Sequence, residues 1–161
     1  MSLRRQIAGL AGWLGLTLAA GAVGAIASAE AREFYALLEQ PAWAPPGWIF
    51  GPVWTSLYLM MGFAAWWVWR AQAVGSGRAA LSLFLLQLAA NALWSWLFFA
   101  WKQGAWAFVE ILVLWTMIGA TTVLFGRVRR LAGWLMVPYL GWVTFAAFLC
   151  YAVWKMNPAA L

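Results

Sequence analysis

An all-α integral membrane bundle of five transmembrane helices is the fold class this sequence predicts, and three observations carry the prediction. The chain of 161 residues is 66% hydrophobic and only 9% charged, with a mean hydropathy of +0.82, outside the range of soluble domains. Five segments meet the requirement of roughly 20 mostly apolar residues for a spanning helix: about Ile7–Ala27, Trp48–Trp69, Ala79–Ala100, Ala105–Phe125 and Leu131–Trp154. Third, the cations gather in alternate connections. Five spans put the N-terminus and the second and fourth loops on one side, with Arg4, Arg5, Arg70, Arg78, Arg127, Arg129 and Arg130 and no acid. The other side has Arg32, Lys102 and Lys155 beside Glu30, Glu33 and Glu39. By the positive-inside rule the N-terminus is cytoplasmic and the first loop lies outside. The net charge of +6 is then a topology signal, and no nucleic-acid partner is expected.

The spans leave no room for a soluble domain, so residues 1–161 form a single unit. The first span begins after Arg4-Arg5, and Ala25-Ile26-Ala27 has the form of a signal cleavage site. Its apolar part is longer than a signal h-region, so it is read as a helix that stays in the membrane. Residues 28–47 make the one long connection, and loops of that length are usually functional or disordered. Order is expected here. Glu33–Glu39 has room for two helical turns with Phe34, Leu37 and Leu38 on one side, and Pro41, Pro45 and Pro46 then restrict the path to extended or turn conformations. Pro52 falls in the first turn of the second span, where its missing N–H costs little. With Trp43, Trp48 and Trp54 the stretch reads as a structured lid across the bundle mouth, over the plainer reading of an interfacial aromatic belt.

The third span carries Gln87, Asn91, Trp94 and Ser95 on one helical face. Polar side chains in hydrocarbon face the bundle interior or a cavity, so Asn91 is either interhelical glue or a ligand contact. Glu110, in the fourth span, is the one acid inside or near a span; it either snorkels to the interface near the helix start or is a buried functional group. In the fifth span Pro138, Trp142, Ala146 and Leu149 share a face, and Ala146 one turn from Trp142 either leaves a groove or serves ordinary helix packing. Gly21 and Gly24 read as close helix packing.

The inventory excludes much conventional chemistry. With no histidine and one cysteine, Cys150, no zinc or non-haem iron site can be assembled. No Ser-His or Cys-His pair exists for nucleophilic catalysis, no intramolecular disulfide can form, and no glycine-rich phosphate motif is present. No obligatory cofactor or metal is expected. At the end of the fifth span Leu149, Tyr151 and Lys155 satisfy the sterol pattern L/V-x₁₋₅-Y-x₁₋₅-K/R, which many helix ends match by chance.

The stretches "FYALLEQPAWAPPGWIFGPVWTSLYLMMG", "LLQLAANALWSWLFF", "WAFVEILVLWTMIGATT" and "PYLGWVTFAAFLCYAVW", in that order, resemble the translocator protein family, also called tryptophan-rich sensory proteins or peripheral benzodiazepine receptors. The resemblance runs from about Phe34 to Asn157. It implies a receptor or transporter-like protein of the bacterial cell membrane that binds tetrapyrroles such as protoporphyrin IX, and, in other members, sterols or benzodiazepine-type ligands. The positions matching the family's pocket beneath the first loop are Tyr35, Phe50, Val53, Trp54, Asn91, Trp106, Val109, Trp142, Ala146 and Leu149. Trp54 and Trp142 match tryptophans associated in the family with photo-oxidative porphyrin breakdown, which makes light-dependent degradation the enzymatic alternative; a stress-sensing scaffold acting through a partner protein is another. Three departures stand out. Cys150 replaces a frequent asparagine, Phe34 a frequent tryptophan, and Leu85-Leu86 the small residues of a dimer interface in some bacterial members, leaving homodimerisation open. The expected ligand is protoporphyrin IX or another flat apolar small molecule, in contact with membrane lipid. Absence of histidine removes the commonest haem ligand and favours metal-free porphyrin, with Arg32, Lys102 and Lys155 near its propionates.

Overall fold

A computed structural model describes residues 1–71 and 76–161, with the side chains of Arg32 and Ser76 outside the description. The chain folds into α1 (Leu3–Ala27), a short α2 (Ala31–Leu37), α3 (Phe50–Arg70), α4 (Ser76–Ser95), α5 (Gly104–Val128) and α6 (Arg130–Met156). All but α2 are long and apolar enough to cross a membrane, giving five spans. They extend the expected segments by a few residues at most ends, because the flanking turns satisfy backbone groups that would otherwise be unpaired. At the start of α1 the Ser2 Oγ accepts from the Arg5 N–H, an N-cap. A 3₁₀ turn at Gly47–Ile49 leads into α3, and Pro52 sits in the first turn of that helix as its missing donor requires.

The third span departs from a simple helix at its end. A π-helical turn at Trp96–Ala100 continues α4, closed by the Trp101 N–H on the Trp96 carbonyl at 2.8 Å. Wide turns of this kind often mark functional sites. Lys102 follows with φ of +52°, a left-handed residue that reverses the chain into α5. Between α5 and α6 the link is a single extended residue, Arg129.

The spans close into a ring in the order α1, α3, α6, α5, α4 and back to α1, and the α5–α6 contact is the most extensive. At the tight end of that pair, a Cβ on Gly133 would fall 2.7 Å from the Gly126 Cα and 3.1 Å from the Thr122 carbonyl oxygen. The helices approach there backbone to backbone, as small residues permit in a membrane. Opposite, Trp66 donates to the Gln6 carbonyl at 2.9 Å and ties α3 to α1. The ring interior holds Met61, Phe84, Ile118, Met136 and Tyr139, each fully buried.

Candidate functional site

The first connection is ordered and packs on the end of the bundle. Phe34 and Tyr35 of α2 and Leu38 just after it turn toward the bundle, with Leu38 only 6% exposed. Leu37, expected with them, is 85% exposed; the helix is too short for its apolar residues all to find one face. The extended segment then follows the prolines: Pro46 has φ −63° and ψ 143°, and the Ala44 N–H closes a turn on the Pro41 carbonyl. What holds the connection down lies 118 residues away. Asn157, at the C-terminal end of α6, accepts from the Glu39 N–H through Oδ1 and donates to the Glu39 carbonyl through Nδ2, both at 2.8 Å. One amide side chain thus reads the backbone of the connection at both its donor and its acceptor, as a neighbouring strand would.

Where the first connection meets α3 and α6, aromatic rings meet edge to face or tilted. Tyr35 contacts Phe50 at 5.8 Å between ring centres, Phe50 contacts Trp142 at 5.8 Å, Trp142 contacts Phe145 at 5.5 Å, and Phe145 contacts Trp43 at 5.8 Å. The first connection, α3 and α6 therefore share one aromatic wall. Its polar edges are unpaired among the described residues: the Tyr35 hydroxyl and the Trp142 indole N–H are buried without a hydrogen-bond partner. Burial pushes the Tyr35 hydroxyl above its ordinary pKa, since the charged form loses its water.

A polar chain forms the floor. Tyr58 OH donates to Asn91 Oδ1 at 2.6 Å, Asn91 Nδ2 donates to Tyr139 OH at 2.8 Å, and Tyr139 OH donates to Gln87 Oε1 at 2.8 Å. Gln87 Nε2 approaches the Met61 sulfur at 3.9 Å. Asn91 is thus interhelical glue linking α3, α4 and α6, one of the two roles its sequence position left open. Trp54 lies on this floor, 5.7 Å from the Tyr58 ring and 6.1 Å from that of Tyr139. The hydroxyls of Tyr58 and Tyr139 were not singled out in the sequence, because tyrosine in an apolar run reads as interfacial belt.

The remaining residues divide. Val53 and Ala146 are half-buried against the core, and Leu149 is 6% exposed on the inner face. Trp106 and Val109 face outward, 65% and 51% exposed, so the structure does not bring them together with the others. Pro138 is exposed as well, and along the face it shares with Trp142, Ala146 and Leu149 burial deepens from Pro138 to the half-buried Trp142 and Ala146 and the buried Leu149. Leu85 and Leu86 lie on the outer surface of α4. Glu110 does not snorkel: both carboxyl oxygens are buried and unpaired among the described residues. At the rim, Lys102 Nζ sits 4.8 Å from the centre of the Phe34 ring and Lys155 Nζ 4.2 Å from that of Trp154. The placement of the Arg32 side chain beside them lies outside the described residues.

Outside the ring, α5 and α6 flank a lipid-facing groove of about 430 Å³, lined by Phe108, Leu112, Trp115, Thr144, Ala147, Phe148 and Tyr151. Tyr151 of the sterol pattern lies in it while Leu149 faces the interior, so the three residues of that pattern do not converge.

Comparison with known proteins places this arrangement. The model of the TspO/MBR family matches residues 13–155. The chain is 39% identical over 161 residues to the tryptophan-rich protein TspO of Chlorobaculum tepidum, covering 97% of this chain and all of that one. It is 40% identical to the human translocator protein over 80% of this chain and 77% of the relative. It is 42% identical to the tryptophan-rich sensory protein of Cereibacter sphaeroides over 78% of this chain and 77% of the relative.

Proposed function

The chain belongs to the TspO/MBR family of multi-pass membrane proteins, and from that premise we propose that it is a membrane receptor or transporter-like protein that binds metal-free tetrapyrroles, protoporphyrin IX among them, beneath the first loop. The observation that carries this reading is the aromatic wall that Tyr35 and Trp43 of the first connection form with Phe50, Trp142 and Phe145, the connection being clasped by Asn157. Flat rings offer a conjugated macrocycle apolar area and edge or face contact. The unpaired Tyr35 hydroxyl and Trp142 N–H supply polar edges, and Lys102 and Lys155 stand at the rim, where propionates would meet them. The chain has no histidine, so a porphyrin held here is a ligand and not a redox centre.

Protoporphyrin IX is expected to quench the tryptophan emission of the purified protein with a Kd of about 1 μM or below, corresponding to roughly 8 kcal/mol. Asn157→Ala removes both bonds to Glu39, each worth about 0.5–1.5 kcal/mol net, so dissociation should accelerate about tenfold while the helical signal is kept. Absence of quenching refutes the ligand. An unchanged off-rate refutes the lid, leaving the first loop as a connector. Sterols and benzodiazepine-type ligands, added as competitors in the same titration, report whether they share the site.

We also propose that the N-terminus is cytoplasmic in a bacterial cell membrane. The seven arginines counted above lie at the end of the bundle where α1 begins, α3 passes to α4, and α5 to α6, and anionic lipid and the insertion machinery hold such an end inside. In a Cys150→Ala background, an impermeant thiol reagent added to intact cells should label Leu37→Cys and leave Leu131→Cys unlabelled. The reverse pattern inverts the topology.

A further inference from the structure

Glu110 is the one acid of the chain within a span, and the aromatic wall does not account for it. The pairs Gly126 with Gly133, Trp115 with Thr144, and Phe108 with Tyr151 fix the antiparallel register of α5 and α6. That register sets Glu110 level with Leu149 and Cys150. It lies on the inner side of α5 among the buried Ala107, Ile111 and Leu114, whereas Phe108, Leu112 and Trp115 face the outer groove. Both carboxyl oxygens are buried without a partner among the described residues. Close by, the Trp94 indole N–H is buried and makes no well-formed hydrogen bond among the described residues. About two turns further along the same face of α6 the Trp142 N–H is unpaired among the described residues too. The interior thus holds open acceptors on Glu110 and open donors on two indoles, separated by apolar surface.

Unpaired polar groups in a membrane interior are destabilising unless something completes them, and ionisable ones are rare there without a role. Either protonation state leaves the carboxyl with an acceptor oxygen, so its complement is a ligand N–H. A closed free-base porphyrin turns its N–H groups into the centre of the ring and offers only alkyl groups and carboxylates at its edge. An open-chain tetrapyrrole carries pyrrole and lactam N–H groups along its edge and lactam carbonyls at its ends, matching the carboxyl and the two indoles. We infer that Glu110 is a specificity-determining residue of the lid site: it accepts hydrogen bonds from edge N–H groups of the ligand, and the site holds open-chain tetrapyrroles in preference to closed macrocycles. This inference rests on the tetrapyrrole reading above.

The test titrates the full-length protein with biliverdin and with protoporphyrin IX, reading tryptophan quenching. Wild type should bind biliverdin at least about tenfold more tightly, one charge-assisted or strong hydrogen bond being worth roughly that ratio. Glu110→Leu should remove about that tenfold from biliverdin and change protoporphyrin IX affinity by less than about threefold. Glu110→Gln, which keeps a carbonyl acceptor in the same shape, should fall between, and its close similarity to the native side chain keeps the test valid if Glu110→Leu does not fold. A merely structural role would weaken both pigments together. Equal losses, or biliverdin binding no tighter than protoporphyrin IX to wild type, overturn the inference and leave the tetrapyrrole reading standing. If neither pigment binds wild type, the tetrapyrrole reading itself is refuted, and this inference with it.

Discussion

Gly133→Ala should destabilise the bundle by about 2–3 kcal/mol, the upper part of the usual overpacking range. The added methyl would meet backbone, 2.7 Å from the Gly126 Cα and 3.0 Å from the Gly126 nitrogen. A flexible side chain can swing away from such an intrusion, but a helix backbone moves only as a body. The α5–α6 pair would have to separate along its length. Gly126→Ala is the matched control, because a Cβ there meets nothing nearer than the Gly133 Cα at 3.9 Å, an ordinary contact. Denaturant midpoints of the two variants in the same detergent, followed by far-UV circular dichroism, make the comparison. If both shift equally, the close approach is not what limits this position.

The second large effect is expected at Asn91. Asn91→Leu removes the acceptor of Tyr58 and the donor to Tyr139, leaving the Tyr58 hydroxyl stranded in the interior. A buried group so abandoned costs about 1–3 kcal/mol, although interhelical bonds in membranes average only about 0.6 kcal/mol when both partners can find substitutes. The asymmetry gives a sharper expectation than the magnitude. Tyr58→Phe added to Asn91→Leu should recover part of the loss, since the stranded hydroxyl is then gone, so the double variant should be more stable than the sum of the singles requires. Strict additivity would mean that the chain of bonds does not act as a unit. Tyr139→Phe should be costlier than Tyr58→Phe, because Tyr139 serves both Asn91 and Gln87.

The spans were legible because each needs a long apolar run, and the ordered path of the first connection because prolines dictate a path wherever they fall. Which side of each span faces inward was far less legible. In a soluble protein the polar face of a helix marks the outside, but Trp106 and Val109 are as apolar as Ala107 and Ile111, and only the second pair is buried. Lipid and protein interior ask for the same residues. Polar side chains break that degeneracy, which is why Gln87 and Asn91 pointed inward correctly. The Asn157 clasp escaped notice for a different reason: its partner is backbone, and backbone has no letter in a sequence. The π-helical turn at Trp96–Ala100 was hidden in the same way, since its residues would suit an α-helix equally well.

The order of helices around the ring also bears on how the chain is made. A ribosome delivers α1 first and α6 last, yet α6 sits between α3 and α5 and closes the circle. Until it arrives, α3 and α5 meet lipid where they will later meet protein. Asn91 and Tyr58 can find each other as soon as α4 has inserted, but the Gln87 carbonyl waits for the hydroxyl of Tyr139, carried by the final helix. The first connection must wait longer still, because Asn157 emerges after the last span is complete. A nascent chain therefore stays an open arc until α6 has inserted, and its first connection is clasped only once Asn157 has followed that helix.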